Sequence, residues 1–194
     1  MHSIFDRIAR GFAVLGGCVL SGLIIMTCVS ISGRSLNTML HGDFLQSAVP
    51  GLANGLLALG VGPVKGDFEL IEVGMAFAIF AFLPLCQLAG SHATVDIFTA
   101  RLSARVNRFL RMVIETVFAA ALVLIAWQLF VGMLSKKAAG QTTFLLEIPL
   151  WWAYAASLSG AVAAALVAIY VTAARVIGVA TGHCPLPPEQ EADH

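Results

Sequence analysis

Residues 148–174 read IPLWWAYAASLSGAVAAALVAIYVTAA, 27 positions without a charge. That exceeds the roughly 20 residues a helix needs to cross a hydrocarbon core. Three further uncharged runs are long enough, with 23 residues at 11–33, 19 at 73–91 and 20 at 116–135. Lipid offers a bare backbone no hydrogen-bond partner, so each run is expected to be helical. None shows the alternation of a membrane barrel strand. The expected fold is an all-α membrane protein with four transmembrane helices, spanning about 11–33, 70–91, 112–135 and 148–174, within a single domain at 1–182.

Composition agrees with lipid as the main solvent. The 194 residues hold 11 Lys or Arg and 11 Asp or Glu, only 11% charged, against roughly 25% in soluble domains. Hydrophobic residues make up 59% and the mean hydropathy is +0.89, more apolar matter than a small globule can bury. A net charge of +0 argues against nucleic-acid binding, which needs surplus cations to displace counterions from phosphate.

One more uncharged stretch, 44–64, is punctuated by Pro50, Gly51, Gly55, Gly60, Gly62 and Pro63, which suits a loop or short interfacial helix better than a lipid-facing span. Charge placement supports four spans. The even-side segments hold Arg7, Arg10, Arg101, Arg105, Arg108, Arg111 and Arg175, whereas the odd-side loops hold Arg34, Lys65, Lys136 and Lys137. By the positive-inside rule both termini are then cytoplasmic. Residues 1–33 read as an uncleaved signal anchor, because the apolar run continues well past Cys18. The proline-rich, acidic tail at 183–194 is expected to be disordered.

No catalytic or metal site is expected. Cys18, Cys28 and Cys86 fall inside spans and Cys184 in the tail, so no cysteine pair stands where a thiol oxidase would need one, and the intramembrane cysteines read as buried packing residues. The histidines are His2, His41, His92, His183 and His194, which gives no facing pair inside a span to ligate haem. Neither HExxH nor CxxC occurs. An autonomous ion-coupled transporter needs an ionisable group at mid-membrane, and Glu69, Glu72, Glu115 and Glu147 all stand at or just outside span ends.

Information therefore concentrates at the edges of the spans. Arg34 follows span one, and Glu69 and Glu72 open span two on one helical face; they can meet as an interhelix ion pair or stand as solvated flanking charges. Span two closes with GSHATVDI at 90–97, which includes His92 and Asp96. Beyond it Arg101, Arg105, Arg108 and Arg111 form one stripe, either a short basic amphipathic helix touching lipid phosphates or the solvated start of the third helix. Trp151 and Trp152 suit the headgroup layer. Ala156, Gly160, Ala164 and Ala168 recur every fourth residue, a smooth stripe for close helix approach, whether to a partner or within the chain. Pro84 and Gln87 predict a kink in span two, re-satisfied by a neighbour.

Taken in order, Arg34, Phe68-Glu69-Leu70, Gly90-Ser91-His92-Ala93-Thr94-Val95-Asp96, the basic stripe, Thr142-Thr143 and Ile148-Pro149-Leu150-Trp151-Trp152 resemble the small, DctQ-like membrane subunit of tripartite ATP-independent periplasmic (TRAP) transporters. The resemblance runs from about the first span to Arg175. It implies a non-catalytic subunit in the bacterial inner membrane, without a cofactor of its own. Its partners would be a large permease subunit holding the sodium and organic-acid sites and a periplasmic substrate-binding protein. The long first outer loop, 35–67, departs from the pattern expected of such subunits. The rival readings are a membrane anchor or assembly subunit of a different inner-membrane complex, and an enzyme embedded in lipid that uses His92 or Asp96.

Overall fold

The computed structural model describes residues 2–42, 47, 50–58, 60, 62–89 and 104–181. Its helices in chain order are α1 (His2–Leu40), α2 (Pro50–Ala58), α3 (Asp67–Ala89), α4 (Ala104–Ala138) and α5 (Leu150–Thr181). All but α2 are long and apolar enough to cross a membrane. The first runs beyond its apolar core because nothing between Arg34 and Leu40 breaks a helix; it closes where the Gly42 N–H bonds the Met39 carbonyl. The third span likewise begins early. No Gly or Pro lies between Arg101 and Val131, so helix propensity is uninterrupted and residues 104–111 continue into the span as one helix.

The four long helices form a row rather than a closed bundle. α1 packs on α3, and α3 and α4 both pack on α5, while no extensive packing among the described residues joins α4 to α1 or to α3. α5 is the centre of the row, with half of its apolar window buried against 6% for α1. Its small residues permit this: Ala161, Ala164 and Ala168 are fully buried, and Ala164, Ala165 and Ala168 meet Ala119 and Leu122 of α4 with Leu83 of α3 alongside. At the far end of α1, Phe5 stacks on Tyr170 of α5 at 4.6 Å between ring centroids. The cysteines expected to be buried are not: Cys18 and Cys28 are exposed and Cys86 half-buried, because α1 flanks the row and presents most of its surface outward.

The Pro84 kink signal acquires a specific meaning here. Proline at 84 lacks the N–H that would bond the carbonyl of Phe80 four residues earlier. At that point Gly160 of α5 comes so close that a Cβ on it would lie 2.8 Å from the Phe80 carbonyl carbon and oxygen. Only a residue without a side chain can cover the freed carbonyl this closely, an approach of the kind that weak Cα–H contacts favour.

Candidate functional site: polar clasps at the two ends of the row

Two ends can be distinguished. One holds α2, the start of α3 and the 139–149 connection, and is called the long-loop end; the other, where α1 begins and α5 ends, is called the termini end. At the long-loop end, Ser30 of α1 is fully buried, donates its hydroxyl hydrogen to Asp67 and accepts the Val64 N–H at 3.2 Å. Arg34 reaches the same carboxylate, with 3.7 Å between Nη2 and Oδ2. The ion pair expected with Glu69 or Glu72 is thus corrected to Asp67, which lies nearer the end of α1 because α3 starts earlier than the apolar run.

Glu69 is engaged elsewhere. Its carboxylate accepts the backbone N–H groups of Leu145 and Leu146 at 2.6 and 3.0 Å, tying α3 to the connection between α4 and α5. That connection is a tight hairpin: the Thr143 N–H bonds the Ile148 carbonyl and the Leu150 N–H bonds Gln141, each at 2.9 Å, and the Thr143 hydroxyl oxygen accepts the Ile148 N–H. Its turns need left-handed backbone at Gly140 and Glu147. Leu146 then sits over Gly66, whose φ of +74° suits glycine and where a Cβ would collide with the Leu146 side chain. The sequence segments around Glu69 and around Ile148, 79 residues apart, are therefore one physical unit.

Both carboxylates precede the apolar run that begins at Val73 and stand outside the membrane-spanning segment. Asp67 is held below the ordinary carboxylate range first by the Ser30 hydroxyl, with the Phe68 N–H and Arg34 adding to it against partial desolvation. For Glu69 desolvation is the largest influence and acts upward, but the N–H groups of Leu145 and Leu146 outweigh it together with Thr143, and the net shift is downward.

The termini end carries a clasp that sequence reasoning missed. Glu115 of α4 is 6% exposed; its Oε2 accepts from the buried Gln87 amide of α3 at 2.6 Å and its Oε1 lies 3.4 Å from Arg175 Nη2 of α5. Thr172 donates to the Glu115 carbonyl at 3.2 Å. Three helices meet in this cluster, including α3 and α4, which hardly touch elsewhere. Glu115 and Arg175 each stand at the edge of an apolar run, where a charge is ordinarily solvated. The one available signal was Gln87, a polar side chain inside an apolar run, whose amide needs a partner.

The remaining expected site residues fall as follows. His92, Asp96 and Arg101 lie outside the described residues, as do the side chains of Arg105, Arg108 and Arg111, whose backbone forms the first turns of α4. Trp151 and Trp152 stand edge to face at 5.8 Å, with the Lys137 ammonium 5.2 Å from the Trp151 ring centroid. Gly160, Ala164 and Ala168 face the inside of the row and Ala156 is half-buried; the small-residue stripe serves packing within the chain. No group of three His, Cys, Asp or Glu placed to hold a metal ion occurs among the described residues.

Fold and site together define a multi-pass helical membrane protein whose polar side chains fasten its own helices at both ends. Comparison with known families gives the assignment: the model of the DctQ family, the DctQ component of tripartite ATP-independent periplasmic transporters, matches residues 23–178. The chain belongs to this family and is a small permease component of a TRAP transporter, a multi-pass inner-membrane protein that works with other TRAP subunits. No curated protein and no solved structure gives a significant match.

Proposed function

We propose that this chain is the non-catalytic scaffold of a sodium-coupled importer of organic acids, carboxylates such as C4-dicarboxylates or sugar acids. In this reading it anchors the large permease subunit, which holds the sodium and substrate sites, and helps dock the periplasmic binding protein at the long-loop end. Both termini face the cytoplasm, with Arg101, Arg105, Arg108 and Arg111 at lipid phosphates and Trp151 and Trp152 in the opposite headgroup layer.

The observation that carries the reading is where the polar groups go. Glu115 and Arg175, the opposite charges deepest in the row, neutralise each other, and Asp67 and Glu69 hold loops and helix ends. A carboxylate committed to an internal cation is poorly placed to take up and release a transported one, and Glu72, which has no such cation, stands on an exposed turn near the start of α3 rather than at mid-membrane, so coupling belongs to a partner. The open row supports the same reading, because its flanking helices present long apolar faces such as Val14, Ile24, Ile25 and Val29 on α1 and Val117, Leu124 and Trp127 on α4.

The test is co-purification joined to uptake. Tagged chain is expected to bring down a large multi-helix membrane subunit, and its deletion to abolish sodium-dependent organic-acid uptake in cells. Unchanged uptake after deletion, with no membrane partner recovered, would sink the proposal. A fluorescent reporter that folds only in the cytoplasm, fused after His194, tests the orientation.

A further inference from the structure

Among the described residues α3 and α4 meet chiefly at the termini end, and towards the long-loop end they flank a groove floored by α5. It holds a cavity of about 310 Å³. Val73, Ala76 and Phe80 of α3, Leu129 of α4 and Leu150 of α5 make its apolar walls. The upper end lies level with the start of α5 and its tryptophan pair, and the groove descends along Phe80 towards the middle of the row.

Three polar groups line it without a hydrogen-bond partner among the described residues. Glu72 stands at the mouth on an exposed turn, Tyr154 lies across from it, and Ser157 is one turn deeper. Ser157 is the deepest of the three: the residue is only 3% exposed, and its side chain lines the cavity, where its hydroxyl can hydrogen-bond to a group that enters. An occupant of this groove must be apolar below and must offer an acceptor at the depth of Ser157. At the mouth the exposed carboxylate of Glu72 attracts a cationic group.

We propose that the groove binds one phospholipid with a primary ammonium headgroup, of the ethanolamine type, from the leaflet at the long-loop end. Its ammonium donates to the Glu72 carboxylate, the Ser157 hydroxyl donates to an ester carbonyl of the glycerol region, and an acyl chain lies against Phe80 and Leu129. Such a lipid fills the gap between α3 and α4 as part of the folded row. The placement rests on the groove alone and holds whichever side of the membrane the long-loop end faces.

Native mass spectrometry of the purified full chain in mild detergent tests this, titrating phosphatidylethanolamine against phosphatidylglycerol with identical acyl chains. One phosphatidylethanolamine is expected to be retained with about a fivefold preference, the scale of one exposed charge pair. Glu72→Gln is expected to abolish the preference, and Ser157→Ala to lower retention of both lipids while leaving their ratio unchanged. Acetylating the lipid amine should abolish the preference on the unaltered protein, which keeps the test decisive even if a variant folds poorly. Equal retention of the two lipids, a preference that survives amine acetylation or persists in folded Glu72→Gln protein, or retention of dodecylammonium without any phospholipid would overturn the proposal.

Discussion

At the scale of single residues, the same side-chain type has different physical meanings at the two ends of the row. Asp67 and Glu69 keep access to water and act through short, directional bonds to a hydroxyl and to backbone N–H groups. Glu115 is buried, and its charge is tolerable only because Arg175 and Gln87 meet it. Removing one member of a buried pair leaves the other uncompensated, at a cost of about 3–5 kcal/mol. Glu115→Ala is therefore expected to lower the unfolding temperature in detergent markedly, and exchanging the pair as Glu115→Arg with Arg175→Glu to recover part of the loss; denaturant unfolding monitored by circular dichroism measures both. Sequence marked these positions as flanking charges, because edge position in an apolar run does not reveal whether a neighbouring helix covers it.

Between elements, the connection at 139–149 acts as a cap on α3. Its hairpin geometry is local and partly legible: Pro149 before the first turn of α5, the glycine at 140 and the paired threonines all mark a turn. What holds it in place is not local, since Glu69 belongs to another helix. Both carboxylates at this end are shifted downward from their ordinary values of 3.8 for Asp67 and 4.5 for Glu69. A depressed carboxylate contributes stability above its unfolded value and loses it as the pH falls through the folded one. The long-loop end is thus expected to be unaffected near neutral pH and to loosen progressively as the pH falls below 4.5, where Glu69 begins to lose its contribution, and further below 3.8, where Asp67 follows. Hydrogen–deuterium exchange at Leu145 and Leu146 reads this directly, and Glu69→Gln should raise their exchange at neutral pH and flatten its acid dependence. α3 and α5 are matched in a comparable way, the carbonyl freed by Pro84 meeting the one glycine of the α5 stripe, Gly160.

For the whole molecule, the order α1, α3, α5, α4 across the row is testable by cysteine cross-linking in a background without Cys18, Cys28, Cys86 and Cys184. Gly16→Cys with Ala81→Cys, where a Cβ on Gly16 would lie 3.0 Å from that of Ala81, is expected to cross-link readily. Leu15→Cys with Leu124→Cys, on α1 and α4, is expected not to; efficient cross-linking of that second pair would mean a closed bundle. The sequence by itself determined the number of spans, their helical nature and the family, because crossing lipid requires a long uncharged run with its backbone bonds satisfied inside it, and both conditions are local. It also carried the small-residue stripe of α5 and the two segments that Glu69 joins, though not that they touch. Only the tertiary structure decided that Arg34 pairs with Asp67, that the stripe faces inward, that Gln87, Glu115 and Arg175 converge, and that α3 and α4 part to leave a groove. Those outcomes depend on which helices become neighbours. In lipid, where every helix surface is equally apolar, that choice follows from steric fit and a few polar contacts between residues far apart in the chain.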